Sequence, residues 1–154
     1  HSAPHAGEIA GPESVWGALR VLGAERIGHG VRSWEDPALV AHLAATGVPL
    51  EVCPTSNIRL GVYPSLADHP LRRLHDAGVR LTVNSDDPPL FNTTLQAEVD
   101  TLETAFGFTA ADAAAVDEIL TGGVRHSFLP PERRASLEAE FRAALARLKP
   151  LHLA

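Results

Sequence analysis

The stretch "RIGHGVRSWEDPALVAHLAATGVPLEVCP", residues 26–54, decides the fold class. It holds a brief apolar strand ending in glycines (26–30), a helix (35–47) and a second strand closed by Pro54 (48–54). Asp36 is a helix N-cap, Pro37 suits the first helical position, and Gly47 stands just past the last apolar turn. Strand, helix and strand joined by connections of a few residues make a βαβ unit, and such a unit pairs its strands in parallel.

Working outward, the same alternation continues on both sides. "HSAPH" (1–5) is a short extended segment that Pro4 keeps out of helix. "GPESVWGALRVLG" (11–23) predicts a helix with Val15, Leu19 and Leu22 on one face and Gly23 as its stop. "PLRRLHDAG" (70–78) predicts another helix stopped by glycine, and "VRLTVNSDD" (79–87) a strand with Val79, Leu81 and Val83 on one side. Residues 92–148 read as mostly helical, ending in an amphipathic segment over 131–148. The fold class is therefore α/β. Right-handed crossovers put the C-terminal ends of all four strands on one edge of a parallel sheet.

Totals narrow the function. The chain has 154 residues, 45% hydrophobic and 21% charged, with a formal net charge of -6. An acidic chain without a basic stripe argues against a nucleic-acid partner. No apolar run reaches the length of a membrane helix, and the N-terminus does not read as a signal peptide. The single cysteine, Cys53, excludes an internal disulfide and fits a reducing compartment, so the expected location is cytoplasmic.

The four strand ends carry the chemistry: "HAGE" (5–8), "GHG" (28–30), "CPTSN" (53–57) and "NSDDPP" (84–89). Together they bring His5, Glu8, His29, Ser56, Asn57, Asp86 and Asp87 to one rim, the place where parallel barrels build active sites. His and Asp are ligands for a divalent metal such as zinc, which acidifies a bound water. A neighbouring glutamate can move protons, and a second histidine can orient water and steady an oxyanion. The glycines of "HAGE" and "GHG" are expected to let a ligand approach the backbone. The inventory points to metal-assisted hydrolysis. Taken singly, each motif also has an ordinary reading: "GHG" as a tight turn, "CPTSN" as a capping loop, "SDDPP" as a helix N-cap. His42, His69, His75, His126 and His152 read as structural or exposed, and Cys53 as a small buried residue.

At these residues the sequence also resembles a known family. "HAGE", "ERIGHG", "LEVCPTSN" and "NSDDPPLF", in this order, closely resemble the adenosine deaminase family of metal-dependent amidohydrolases. "GPESVWGAL", "EDPALVAHL" and "TTLQAE" fit it too, as do the closing residues "HSFLPPERRASL" (126–137). The resemblance implies a zinc-bearing (β/α)8 barrel that replaces the 6-amino group of a purine by water. It implies that His5 and Asp86 ligate zinc and that Glu8 protonates purine N1. His29 would orient the attacking water, Asp87 would hydrogen-bond purine N7, and Gly7 would lie beside the purine, where a bulky side chain blocks binding.

Three departures accompany the resemblance. The family's His-x-His at the end of its first strand is absent. Four strands are found where a closed barrel has eight and about 250 residues. Val99 stands where an aromatic residue is expected, which bears on packing only. The expectation is therefore the C-terminal half of a (β/α)8 barrel with extra C-terminal helices, residues 1–154 forming a partial metal-dependent hydrolase domain that lacks the first half. Its main substrate is expected to be adenosine or deoxyadenosine. The alternatives are adenine or aminodeoxyfutalosine deamination, or a non-catalytic half-barrel that binds a partner. The loop "IRLGVYPSLADHPLRRL" (58–74) looks more like the bacterial branches, including those for non-adenosine substrates. Open sheet edges are expected to favour self-association.

Overall fold

Short strands, each followed by helical structure, build the molecule. The computed structural model describes the backbone of residues 1–152 and the side chains of residues 1–148, so the side chain of His152 lies outside the described residues. Strands β1 (His5–Ala6), β2 (Ile27–His29), β3 (Leu50–Val52) and β4 (Leu81–Val83) form one sheet in the order β1-β2-β3-β4. Every neighbouring pair is parallel. With its helices this is an α/β partial barrel.

The register separates two rows of side chains. His5 stands opposite Gly28, Gly28 opposite Glu51, and Glu51 opposite Thr82. Successive side chains on a strand point to opposite faces, so these four share one face. The alternate row, Ile27, Leu50, Val52, Leu81 and Val83, joins one apolar core with residues of the covering helices. Val15 and Ala18 come from α1 (Pro12–Val21), Leu39 and Leu43 from α2 (Pro37–Thr46). Leu71 and Leu74 are added further along the chain.

Local chemistry sets the helix ends. Asp36 caps α2 as expected, its carboxylate accepting from the backbone N–H groups of Ala38 and Leu39, and Gly47 ends it in a left-handed turn. In α1, Val15 is fully buried but Leu22, expected on the same face, lies beyond the last turn and is 58% exposed. "CPTSN" is more than a loop: Pro54 opens a short helix, α3 (Pro54–Arg59). The remaining helices are α4 (Leu71–Asp76), α5 (Pro88–Phe91), α6 (Leu95–Thr104), α7 (Ala113–Arg125) and α8 (Pro131–His152). The amphipathic expectation for 131–148 fails, because Phe141 and Leu148 are exposed and no described side chain of α8 is fully buried. Instead α8 is tied to α7 by Arg125 and Arg142, which share Glu118 and Glu138. Val99 is half-buried beside Leu102 and Phe108 and plays no part at the rim. Among the described residues, no helix is long and apolar enough to cross a membrane.

Candidate active site

Four strand ends deliver the polar groups to one cleft, lined among others by His5, His29, Glu51, Cys53 and Asp86. Two of the five leave their strands in an uncommon way. His29 (φ 62°) and Asp86 (φ 55°) hold the left-handed backbone region, which costs a non-glycine residue about 1–2 kcal/mol. This turn redirects both side chains at the end of their strands, and such strain collects at functional sites.

His29 is the hub. The residue is 2% exposed, and its ring meets the ring of His5 edge-on at 5.0 Å between centroids. Its Nδ1 lies 3.5 Å from Oε1 of Glu8, and its Nε2 lies 3.9 Å from Oδ2 of Asp86. Burial holds the His29 imidazole below its ordinary range, against the pull of the Glu8 carboxylate. The ring is therefore neutral at pH 7. Oε1 of Glu8 is buried and accepts no hydrogen bond among the described residues, so it is free to meet a ligand.

The remaining rim residues act on these. Ser56, on α3, donates from Oγ to Oδ2 of Asp86 at 2.6 Å. Asn57, also on α3, donates from Nδ2 to Nδ1 of His29 at 3.2 Å. Asp87 caps α5 through Oδ1, which accepts from Leu90 N–H at 3.1 Å. That capping role was the ordinary reading of "SDDPP", and it leaves the other oxygen of Asp87 for a ligand. Cys53 is inert: burial first, then the negative charge of Asp86, pushes its thiol up to about 12.

The glycines make room within the protein itself. A Cβ on Gly28 would lie 2.7 Å from the His5 ring, so Gly28 makes room for that ring. A Cβ on Gly7 (φ 63°) would meet Val15 at 2.5 Å and the Gly30 backbone at 3.2 Å. Gly7 is thus required by packing against α1 and the β2 loop before any ligand is considered.

Sequence reasoning missed two residues here. Glu98 on α6 is fully buried, and its carboxylate accepts from Thr55 N–H at 3.1 Å and from the Thr93 hydroxyl. It thereby ties the first turn of α3, and with it Ser56 and Asn57, to the rest of the fold. His69, read as structural or exposed, is 3% exposed and lies within hydrogen-bond distance of Asn57. No sequence spacing marks either contact.

The donor set suits a borderline divalent metal, with imidazole nitrogen and carboxylate oxygen available and the Cys53 sulfur beside them. Ligand-capable atoms of His5, Glu8 and His29 lie within 4.8 Å of one another, as do those of His29, Cys53 and Asp86. His5 and Asp86, the two expected ligands, fall in different groups and flank His29.

Comparison with known proteins gives this geometry a context. The family described as adenosine deaminase matches residues 1–144. An adenine deaminase from Rhizobium leguminosarum bv. trifolii is 50% identical over 135 residues, which are 88% of this chain and 41% of that protein. An aminodeoxyfutalosine deaminase from Streptomyces coelicolor is 46% identical over 140 residues, 91% of this chain and 35% of that protein. Among solved structures, an amidohydrolase from Burkholderia ambifaria with bound zinc superposes with a TM-score of 0.86 at 25% identity, over 97% of this chain and 41% of that one. The chain thus spans well under half the length of the relatives it matches.

Proposed function

This chain belongs to the adenosine deaminase family, and from that premise we propose that it supplies the proton-handling side of a site for hydrolytic deamination of a 6-aminopurine. The 50% identity to an adenine deaminase and the 46% identity to an aminodeoxyfutalosine deaminase favour adenine as substrate, with aminodeoxyfutalosine second. Adenosine and deoxyadenosine, the main expectation from the motifs, have less support. In this reading residues 1–154 are part of a metal-dependent hydrolase domain whose remaining strands lie outside this chain.

The observation that carries the proposal is the placement of one carboxylate on each side of a buried neutral imidazole, Glu8 at Nδ1 and Asp86 at Nε2. Glu8 gives a proton to purine N1, which makes C6 electrophilic. His29 holds the water oxygen that attacks C6 and steadies its developing charge. Asp86 helps to take a proton from that water, and Asp87 hydrogen-bonds purine N7. The C6–N bond then breaks. One water proton ends on N1 by way of Glu8, the other on the departing ammonia, and the 6-oxopurine remains. His5 and Asp86 are the residues that would hold zinc, which when bound supplies Lewis acidity to the water.

The test is a chimera in which this chain replaces the matching segment of the Rhizobium adenine deaminase. Ammonia release from adenine is expected, with aminodeoxyfutalosine and adenosine assayed in parallel. Glu8→Gln is expected to lower kcat by about 100-fold or more. A folded, zinc-loaded chimera that hydrolyses none of the three would overturn the proposal and favour a binding role.

A further inference from the structure

A chain of hydrogen bonds runs from a backbone amide through three buried side chains into the cleft. Leu71 N–H lies 3.2 Å from Nδ1 of His69. A backbone N–H can only donate, so Nδ1 of His69 accepts and carries no proton. Burial, with the charge of Arg73 behind it, pushes the His69 imidazole down to about 3, so the ring is neutral and holds its one proton on Nε2. That nitrogen lies 3.1 Å from the side-chain oxygen of Asn57 and donates to it. Asn57 is fully buried and has no freedom to turn: its carbonyl oxygen must face the His69 proton, which leaves its amide group facing Nδ1 of His29 at 3.2 Å. The amide can only donate, so Nδ1 of His29 accepts and carries no proton, and the ring proton sits on Nε2, toward Asp86.

We infer that His69 is a positioning residue: acting through Asn57, it fixes His29 in the Nε2–H tautomer and so aims the His29 proton into the cleft. The opposite tautomer would place a proton between His29 and Glu8, 3.5 Å apart, and engage the carboxylate proposed to protonate the substrate. It would also require Asn57 to turn its amide toward the His69 N–H, donor against donor in a buried site. The relay therefore does two things at once. It points a donor at the position of the attacking oxygen, and it leaves Glu8 without a proton from His29. The His69 ring is itself held in place, with Tyr63 and Phe106 at 5.2 and 5.5 Å between ring centroids. The tautomer assignment stands on the hydrogen-bond geometry, with the burial of His69 in support; only its catalytic consequence rests on the function proposed above.

The test reads the tautomer directly, without activity. Long-range proton–nitrogen correlation spectra of the 15N-labelled chain at pH 7.5 are expected to show a pyridine-type Nδ1 and a pyrrole-type Nε2 in both His29 and His69. His69→Gln, which keeps an N–H for Asn57, should preserve that pattern in His29. His69→Leu and His69→Asn, which offer Asn57 no donor at that position, should move the His29 Nδ1 signal toward the pyrrole-type value. A pyrrole-type Nδ1 in the unmodified chain overturns the inference, and so does an unchanged His29 in folded Leu or Asn variants. In the chimera, His69→Leu should lower kcat with little change in KM, and His69→Gln should restore it. A correct tautomer in a chimera that never deaminates would reject the function and leave the relay standing.

Discussion

Ser56 shows how one hydroxyl can matter at a site whose acids and bases lie elsewhere. Its Oγ holds Oδ2 of Asp86 at 2.6 Å and so sets the direction of a carboxylate proposed to bind zinc. Ser56→Ala is expected to weaken zinc binding by about 10- to 100-fold, measured by competition with a chelating dye. Gly7→Ala is a packing change: the new methyl meets Val15 and the Gly30 backbone in a left-handed backbone conformation. A loss of about 2 kcal/mol or more is expected in urea unfolding. His69 makes stability depend on pH with a definite sign. Its folded value of about 3 lies below the ordinary 6.5, so the unfolded chain takes up the proton first. The penalty is absent above about pH 6.5 and grows by about 1.4 kcal/mol per unit as the pH falls toward 3. His29 and His126, both lowered first by burial, add to the same trend. Thermal melts at pH 7.5 and pH 5 should show the unmodified chain losing more stability than His69→Gln.

At the scale of elements, the helices were legible to the degree that their ends were chemical. Asp36, Pro37 and Gly47 bounded α2 from the sequence because an N-cap, a first-turn proline and a glycine stop each act through neighbouring backbone. The Asp36 carboxylate also accepts from the Trp16 indole N–H at 2.8 Å, so it joins α1 to α2. Asp36→Ala should cost about 1 kcal/mol or more in thermal unfolding, and Asp36→Asn less, since it can still cap. Helix α3 escaped the sequence reading because six residues carry too little periodicity to announce a helix. Its first turn is fixed by Glu98, distant in sequence, which is a contact that only folding creates. The terminal helix α8 shows the converse. An apparent apolar stripe was present, but the helix has little core to cover and is held to α7 by ion pairs instead.

For the whole molecule, the sheet ends at β1 on one side and β4 on the other among the described residues. Unpaired strand edges offer backbone donors and acceptors to other chains. Sedimentation velocity on the chain alone should therefore show association that grows with concentration; a sharp monomer at all concentrations would reject this. The α/β class, the parallel strands and the shared rim could be read from residues 26–54 and their flanks, because hydrophobic period and turn chemistry act over a few residues. The identities of His5, Glu8, His29 and Asp86 as site candidates came from the same source. The sequence by itself thus determined the order of elements and which groups reach the rim. Only the tertiary structure decided what Gly7 and Gly28 make room for and that Glu98 anchors α3. It alone joined His69 through Asn57 to His29. These are contacts between residues far apart along the chain, and their distances and directions exist only once the core has packed.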